Sequence, residues 1–442
     1  MRIWITPMLC GLCLLMAMAH QSLAFVVDGY TTLVAEDAGS NDQYGFSMAT
    51  DGRWLVVGAK NATVDGLQSG AVYVYVRDGH HSDWRLVQKL VPDNGDAISP
   101  AEFGESVAVS HNRILVGARA MRNQAGQQSG VAFLYTYKGQ RRGWVLDAQL
   151  QPADGQDGDE FGRAVDLGPG QAFVGARFAA SDNGVRAGAV YVFQRNGHGW
   201  RLQKKLTDPH GNDHDQFGRT LSFDHKSQNF LVVGSRKASD LVGDQGKALI
   251  FRNRGADWQL WQELEAFDGR DGDYFGQSVA LAGNLLVVGA RNSFTTDGIG
   301  VGGAYIYRLS TTGTWAFSQK LMPDVLQNNG QYGFAVAIDR LSGSSLAVGA
   351  RRMDSVLDKK TGQVYLYSLD TTANAWQLDD IVIAADAAPG DEFGQSLAMD
   401  PFGGHWLAVG ADQVEVDGAQ EAGAVYVLQR LKPAPAREDK KR

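Results

Sequence analysis

Cysteine is nearly missing from these 442 residues: Cys10 and Cys13 are the only two, both near the start. Beyond them there can be no disulfide, no zinc–thiolate site and no thiol nucleophile. Basic residues are outnumbered, and the formal net charge is −8. Nucleic acid and anionic membrane surfaces are therefore poor partners. No stretch past the first two dozen residues is long and apolar enough to span a membrane as a helix. A convincing helical period is absent as well. There is no Gly-x-Ser-x-Gly elbow, and no histidine recurs with a repeated partner. Gly298, Gly300, Gly302 and Gly303 imitate a dinucleotide loop, but no helix follows them to hold a phosphate.

The two ends read as processing and tail segments. Arg2 is the only charge before an apolar run over residues 3–19, and Ser22, Leu23 and Ala24 supply small residues at a cleavage position. Residues 1–24 are therefore expected to be a secretory signal, and the chain to be exported: secreted, periplasmic or held at the cell surface. Residues 431–442 are charged and rich in Pro, Ala and Lys, and are expected to be a disordered tail.

What the chain has in abundance is glycine, 54 residues, organised in three patterns that recur in fixed order. An aromatic-Gly pair places Gly45, Gly104, Gly162, Gly218, Gly276, Gly333 and Gly394. Val-Gly-Ala or a near variant places Gly58, Gly117, Gly175, Gly234, Gly289, Gly349 and Gly410. A third pattern, leading into an aromatic or aliphatic strand, opens at Gly70, Gly130, Gly188, Gly246, Gly303, Gly362 and Gly423. Successive gaps in the first series are 59, 58, 56, 58, 57 and 61 residues, a period that signals stacked β units rather than separate domains. Each unit reads as four short strands. Residues 275–281 alternate, 285–289 form a continuous apolar run, 303–307 make a third strand, and 315–321 alternate as an outer strand with one wet face.

The fourth strand shows how the ring closes. Trp144, Trp200, Trp258, Trp315 and Trp376 each stand 18 residues before an aromatic-Gly glycine, and Trp84 stands 20 before. The last unit has no fourth strand, whereas Val27 and Leu33 occupy the matching offsets ahead of Gly45. The predicted fold is all-β: one closed seven-bladed β-propeller of four-stranded antiparallel blades over residues 25–430. Residues 27–33 are expected to complete the last blade, since closure removes exposed sheet edges. The fixed spacing of the tryptophans favours blade packing over sugar platforms.

The aromatic-Gly followed by Val-Gly-Ala resembles the FG-GAP repeat of integrin α-subunit head domains and their bacterial relatives, over residues 25–430. The resemblance implies a seven-bladed propeller, an extracytoplasmic location and a binding or adhesion role. Two departures stand out. The turns between first and second strands never hold more than one carboxylate, so the integrin-type calcium loop does not carry over. After Val-Gly-Ala, where the family has Pro, five units carry Arg.

Loops joining strands two and three share a face, here called upper, with loops entering the next first strand. The former begin with Arg119, Arg177, Arg236, Arg291 and Arg351, with Lys60 and Asp412 in the remaining units. The latter are acidic, with Asp157, Asp159, Asp213, Asp215, Asp271, Asp273, Asp391 and Asp42. These arginines and aspartates are the candidate ligand contacts. Their repetition predicts that each Arg bridges an Asp of a neighbouring blade and each Asp caps a turn, leaving unpaired members to bind. The variable centres of the upper loops are the candidates for specificity. Asp154, Asp157 and Asp159, and at the same spacing Asp268, Asp271 and Asp273, are calcium candidates. Their spacing does not match an EF-hand and Gly-rich aspartate turns are common without metal, so no cofactor is expected. His210, Asp213 and His214 form a transition-metal candidate. The expected function is a non-enzymatic binding or adhesion module with a protein ligand. A glycan-binding propeller is the alternative. An enzyme with its site at the channel mouth ranks last, because no nucleophile–base pair or metal set is visible. The default state is a monomer.

Overall fold

The computed structural model describes residues 25–26, 30–78, 83–92, 100–182, 184–197, 199–238, 243–255, 257–357 and 359–429. The expected signal segment, Val27 and the charged tail lie outside them. Every regular element among the described residues is a strand, and seven four-stranded antiparallel units recur in order. Blade 2, for example, runs Phe103–Ser110, Arg113–Ala118, Val131–Tyr137 and Trp144–Leu150.

The sequence pattern explains each position in a blade. Second strands such as Trp54–Ala59, Leu285–Ala290 and Trp406–Ala411 are buried along their whole length, because a neighbouring blade covers each face. Fourth strands such as Trp144–Leu150 keep alternate residues wet. The core is accordingly split into seven apolar layers, one at each junction between blades. The strand-four tryptophans anchor these layers. Trp144 meets Trp54 edge-on at 5.1 Å between ring centres, Trp84 meets Trp406 at 4.9 Å, and Trp315 meets Phe230 at 5.6 Å. The recurrent tryptophans are packing residues.

Glycine sits where two backbones touch. A Cβ on Gly175 would lie 2.0 Å from the carbonyl oxygen of Gly218 in the next blade, and on the other six Val-Gly-Ala glycines it would lie 2.0 to 2.3 Å from theirs. The third glycine series is left-handed, as at Gly188 with φ 103°, and presses on the next blade's aromatic-Gly segment. In blade 5 this role falls to Gly302 (φ 93°), one residue before the Gly303 read from the sequence pattern. A hydroxyl adds a latch at five junctions. Ser47 Oγ donates to Gly104 O at 2.7 Å, and Ser396 Oγ to Gly45 O at 2.6 Å across the seam between blades 7 and 1.

That seam is closed twice. Tyr44 N–H donates to Ala422 O at 2.8 Å, the same bond that joins every other pair of blades. In addition, Tyr30–Leu33 pairs antiparallel with Ala424–Gln429 as the outer strand of blade 7, with Leu33 opposite Val425. The N-terminal strand thus completes the last blade. Of the expected strand over 27–33, Tyr30–Leu33 forms it, and residues 27–29 lie outside the described residues. Phe25–Val26 pairs in parallel with the outer strand of blade 6, Phe25 opposite Val382. No helix of the described residues is long and apolar enough to cross a membrane.

Candidate functional site

The first strands line the central channel, and a shared irregularity sets what they present at its upper mouth. In blade 3, Phe161 pairs with Ala176 and Ala164 with Gly175, so Gly162 and Arg163 are bulged out of the ladder. The same register shift occurs in five further blades. A bulge re-aims a side chain, and here it turns the residue after the aromatic-Gly pair into the channel. The resulting ring includes Phe46, Glu105, Arg163, Arg219, Gln277 and Gln395, around a cavity of about 410 Å³. Beneath it, every blade contributes one aliphatic or methionine side chain, from Met48 in blade 1 to Leu397 in blade 7, as an apolar collar. The lower end is bridged. Lys226 Nζ of blade 4 donates to Leu341 O of blade 6 at 3.0 Å, and Arg340 reaches His225, which pairs with Asp166.

The residue before the aromatic-Gly pair is left-handed in all seven blades, with φ from 55° at Glu102 to 64° at Gln216, and none is glycine. This costly conformation aims its side chain at the arginine following Val-Gly-Ala. Arg119 NH2 donates to Glu102 Oε1 at 3.0 Å, and Arg177 NH2 to Glu160 Oε1 at 3.0 Å. Arg236 donates to Gln216, Arg351 to Gln331, and Arg291 lies 4.8 Å from the centre of the Tyr274 ring. Links to the next blade run from Arg119 to Glu160 at 2.9 Å and from Arg351 to Glu392 at 2.8 Å. The expected Arg–Asp bridge is thereby corrected. The partners are Glu, Gln and Tyr one position before the aromatic, in the same blade first and the next blade second. Sequence reasoning missed this position because its residue type varies while its conformation does not.

The aspartates turn inward to the loops instead. Asp159, Asp215, Asp273 and Asp391 are buried, and each accepts the N–H three residues earlier, as Asp159 does from Gln156 at 2.8 Å. Asp42 does the same with Gly39. Asp157, Asp213 and Asp271 are exposed and fasten the preceding blade's loop by accepting the N–H of Gln128, Val185 and Asp244. Asp154 and Asp268 each accept a tyrosine hydroxyl and a lysine, Tyr191 with Lys205 and Tyr305 with Lys320. In neither acid loop do the three carboxylates converge on one point. The trio His210, Asp213 and His214 does not assemble either, since Asp213 turns to Val185. Among the described residues, Asp208, His210 and Glu263 are the one set of three potential ligands whose donor atoms lie within 4.8 Å of one another.

A profile of the FG-GAP repeat matches residues 30–75, 84–135, 144–193, 200–251, 258–307 and 376–428. The chain belongs to the FG-GAP repeat family. Each match runs from a fourth strand through the next third strand, and the first begins at Tyr30, the strand that closes the ring. No curated protein matches the chain. Among solved structures, the WD40 repeats of RRP9 align with a TM-score of 0.57 at 11% identity, covering 93% of this chain and 100% of that one. A putative 6-phosphogluconolactonase from Bacteroides uniformis aligns with a TM-score of 0.50 at 13% identity, covering 79% and 88%. At such identities the likeness is one of fold.

The FG-GAP mouth gives a test of its electrostatics. Glu105 is 3% exposed and meets Arg163 NH1 at 2.7 Å, Arg119 at 3.3 Å and Lys60 at 3.6 Å. Burial opposes its ionisation, but Arg163, Lys60 and Arg119 outweigh it and hold the carboxyl at about 2. A carboxyl depressed in the fold adds stability that is fully present above its ordinary value and is lost as pH falls toward the depressed one. Glu105→Gln should therefore cost about 3 kcal/mol at neutral pH. The gap from the natural protein should narrow below pH 4.5, toward pH 2, in chemical denaturation. An equal gap at both ends of that range would refute the ion-pair origin.

Proposed function

We propose that this chain is a non-enzymatic, exported binding module that takes a protein ligand on its upper face. The observation that carries this reading is the contrast between a fastened rosette and the loops around it. The repeated acids are tied to arginine or to backbone, and most of the arginines to a side chain at the mouth, while the loops beyond them expose large apolar side chains. Val356 is 77% exposed, Val185 72%, Val325 68% and Phe267 68%. Val325 and Leu326 sit on the loop leading into blade 6, Val356 and Leu357 on that blade's strand-two-to-three loop, and Asp354 N–H donates to Gln327 to join the two loops. Apolar groups displayed on loops held by a rigid scaffold suit a protein surface. A glycan reading is weakened by the burial of five of the six recurrent tryptophans between blades, Trp200 alone being half-buried.

Affinity capture from the exporting cell's surface and medium, followed by mass spectrometry, tests it. One protein should be enriched by the natural chain and lost with Val325→Asp combined with Val356→Asp, whose melting temperature should be unchanged. Specific retention of a sugar on a glycan array, with no protein depending on these loops, would refute it.

A further inference from the structure

Charge is balanced unevenly around the mouth. In blades 2, 3 and 7 the residue before the aromatic-Gly pair is Glu102, Glu160 or Glu392, and these carboxylates meet Arg119, Arg177 and Arg351. In blades 4 and 5 the same position holds Gln216 and Tyr274, neither of them a carboxylate. The bulged residue following the pair is Arg219 in blade 4 and Gln277 in blade 5. Three guanidinium groups, those of Arg219, Arg236 and Arg291, are thus gathered where none forms an ion pair with a carboxylate among the described residues.

Arg219 is the extreme case. It is 8% exposed and lines the mouth cavity beside Arg163, Arg291 and Gln277. Among the described residues its side chain makes no hydrogen bond or ion pair, and its Nε is buried without an acceptor. Arg291 Nε is likewise buried without an acceptor. Burial, and then the neighbouring guanidinium groups of Arg163 and Arg236, push Arg219 well below the ordinary arginine range. An unpaired buried charge costs several kcal/mol by general experience. The apolar collar below keeps the local dielectric low, which magnifies both that cost and the attraction of an anion.

We propose that the upper mouth binds a phosphate or sulfate group, with Arg219 as its principal ligand and Arg291 and Gln277 beside it. The planar, multiply donating guanidinium suits tetrahedral oxyanions. The two negative charges of a phosphate group or of free sulfate answer three guanidinium groups without a carboxylate partner better than the single charge of a carboxylate, and a sulfate ester, though singly charged, still offers three acceptor oxygens to the fork. The cavity of about 410 Å³ leaves room for the rest of a small ester or for the modified end of a larger ligand. The proposal deepens the binding reading and rests on the upper face being the working one.

Titration calorimetry and melting of the full chain in inorganic phosphate, sulfate, acetate or chloride at equal ionic strength test it. Phosphate and sulfate should bind and raise the melting temperature, and acetate should behave as chloride does. Arg219→Gln should weaken phosphate binding at least tenfold while melting higher than the natural protein in chloride, since it removes an unpaired charge. Arg291→Gln should also weaken binding, whereas Arg254→Gln, on the exposed rim of blade 4, should leave it unchanged. No response specific to phosphate or sulfate, or an unchanged response in Arg219→Gln, would overturn the proposal. If phosphate binds as expected but no protein is captured through the upper loops, the protein-ligand reading falls and the oxyanion site stands.

Discussion

A chain lacking residues 25–34 is expected to lose its cooperative native state. The deletion removes Tyr30–Leu33, so Ala424–Gln429, buried over its first five residues, becomes an unpaired edge. It also takes Leu33 from the apolar layer between blades 7 and 1, and the Tyr30 hydroxyl from Asp386 and the Ala385 N–H. Losing one buried leucine costs about 2–5 kcal/mol. The lost ladder bonds add roughly 1 kcal/mol each. Against a total stability of about 5–15 kcal/mol, little of the folded population should survive. What does survive carries an exposed strand that templates association. Circular dichroism melting and size-exclusion chromatography check this. Retained melting with a monomeric elution volume would show that the ring does not depend on its N-terminal strand.

The second large effect is expected at Gly175. Its α-carbon stands against the Gly218 carbonyl, where an added Cβ would approach to 2.0 Å. Both contact partners are backbone, so no side chain can turn aside. Gly175→Val must spread blades 3 and 4, opening the layer that holds Phe173, Phe217 and Trp258. Overpacking typically costs about 1–3 kcal/mol where side chains can yield. Here the loss should be about 3 kcal/mol or more, and Gly175→Ala should show much of it. Gly126→Ala, with open space around its Cβ position but a left-handed φ of 83°, supplies the contrast of strain without a clash. Urea unfolding of the three proteins decides. Equal destabilisation at Gly175 and Gly126 would mean that the tight contact between blades is not what the glycine serves.

The fold was readable because each recurring residue answers a steric demand that is the same in every blade. Seven glycines must let a neighbouring backbone pass, and each of seven aromatics must fill the layer at its own junction. Where two adjacent glycines could meet one demand, the pattern points to Gly303, whereas Gly302 makes the contact. The closing segment was legible from Leu33 but not from Phe25 and Val26, whose parallel pairing with blade 6 follows no repeat. The site was less visible for the opposite reason. Recurrence points to Arg236, Arg291 and the aspartates, and the structure fastens those carboxylates to backbone. The distinctive residues lie where the repeats differ: Gln216 and Tyr274 in place of Glu, and Arg219 in a bulge whose occupant changes from blade to blade. What recurs there is a conformation, a left-handed residue followed by a bulge, and conformations of this kind leave no fixed letter in the sequence.

Closure by the N-terminal strand is tested most directly by a disulfide across it. With Cys10 and Cys13 omitted the chain has no other thiol, and Thr31 lies opposite Val427 in the register of the last blade. Thr31→Cys with Val427→Cys, oxidised as a dilute monomer and digested, should yield one intramolecular cross-linked peptide and a raised melting temperature. Two free thiols in a protein that remains folded, or a bond formed only between molecules, would place residues 30–33 elsewhere and contradict the closed seven-bladed ring.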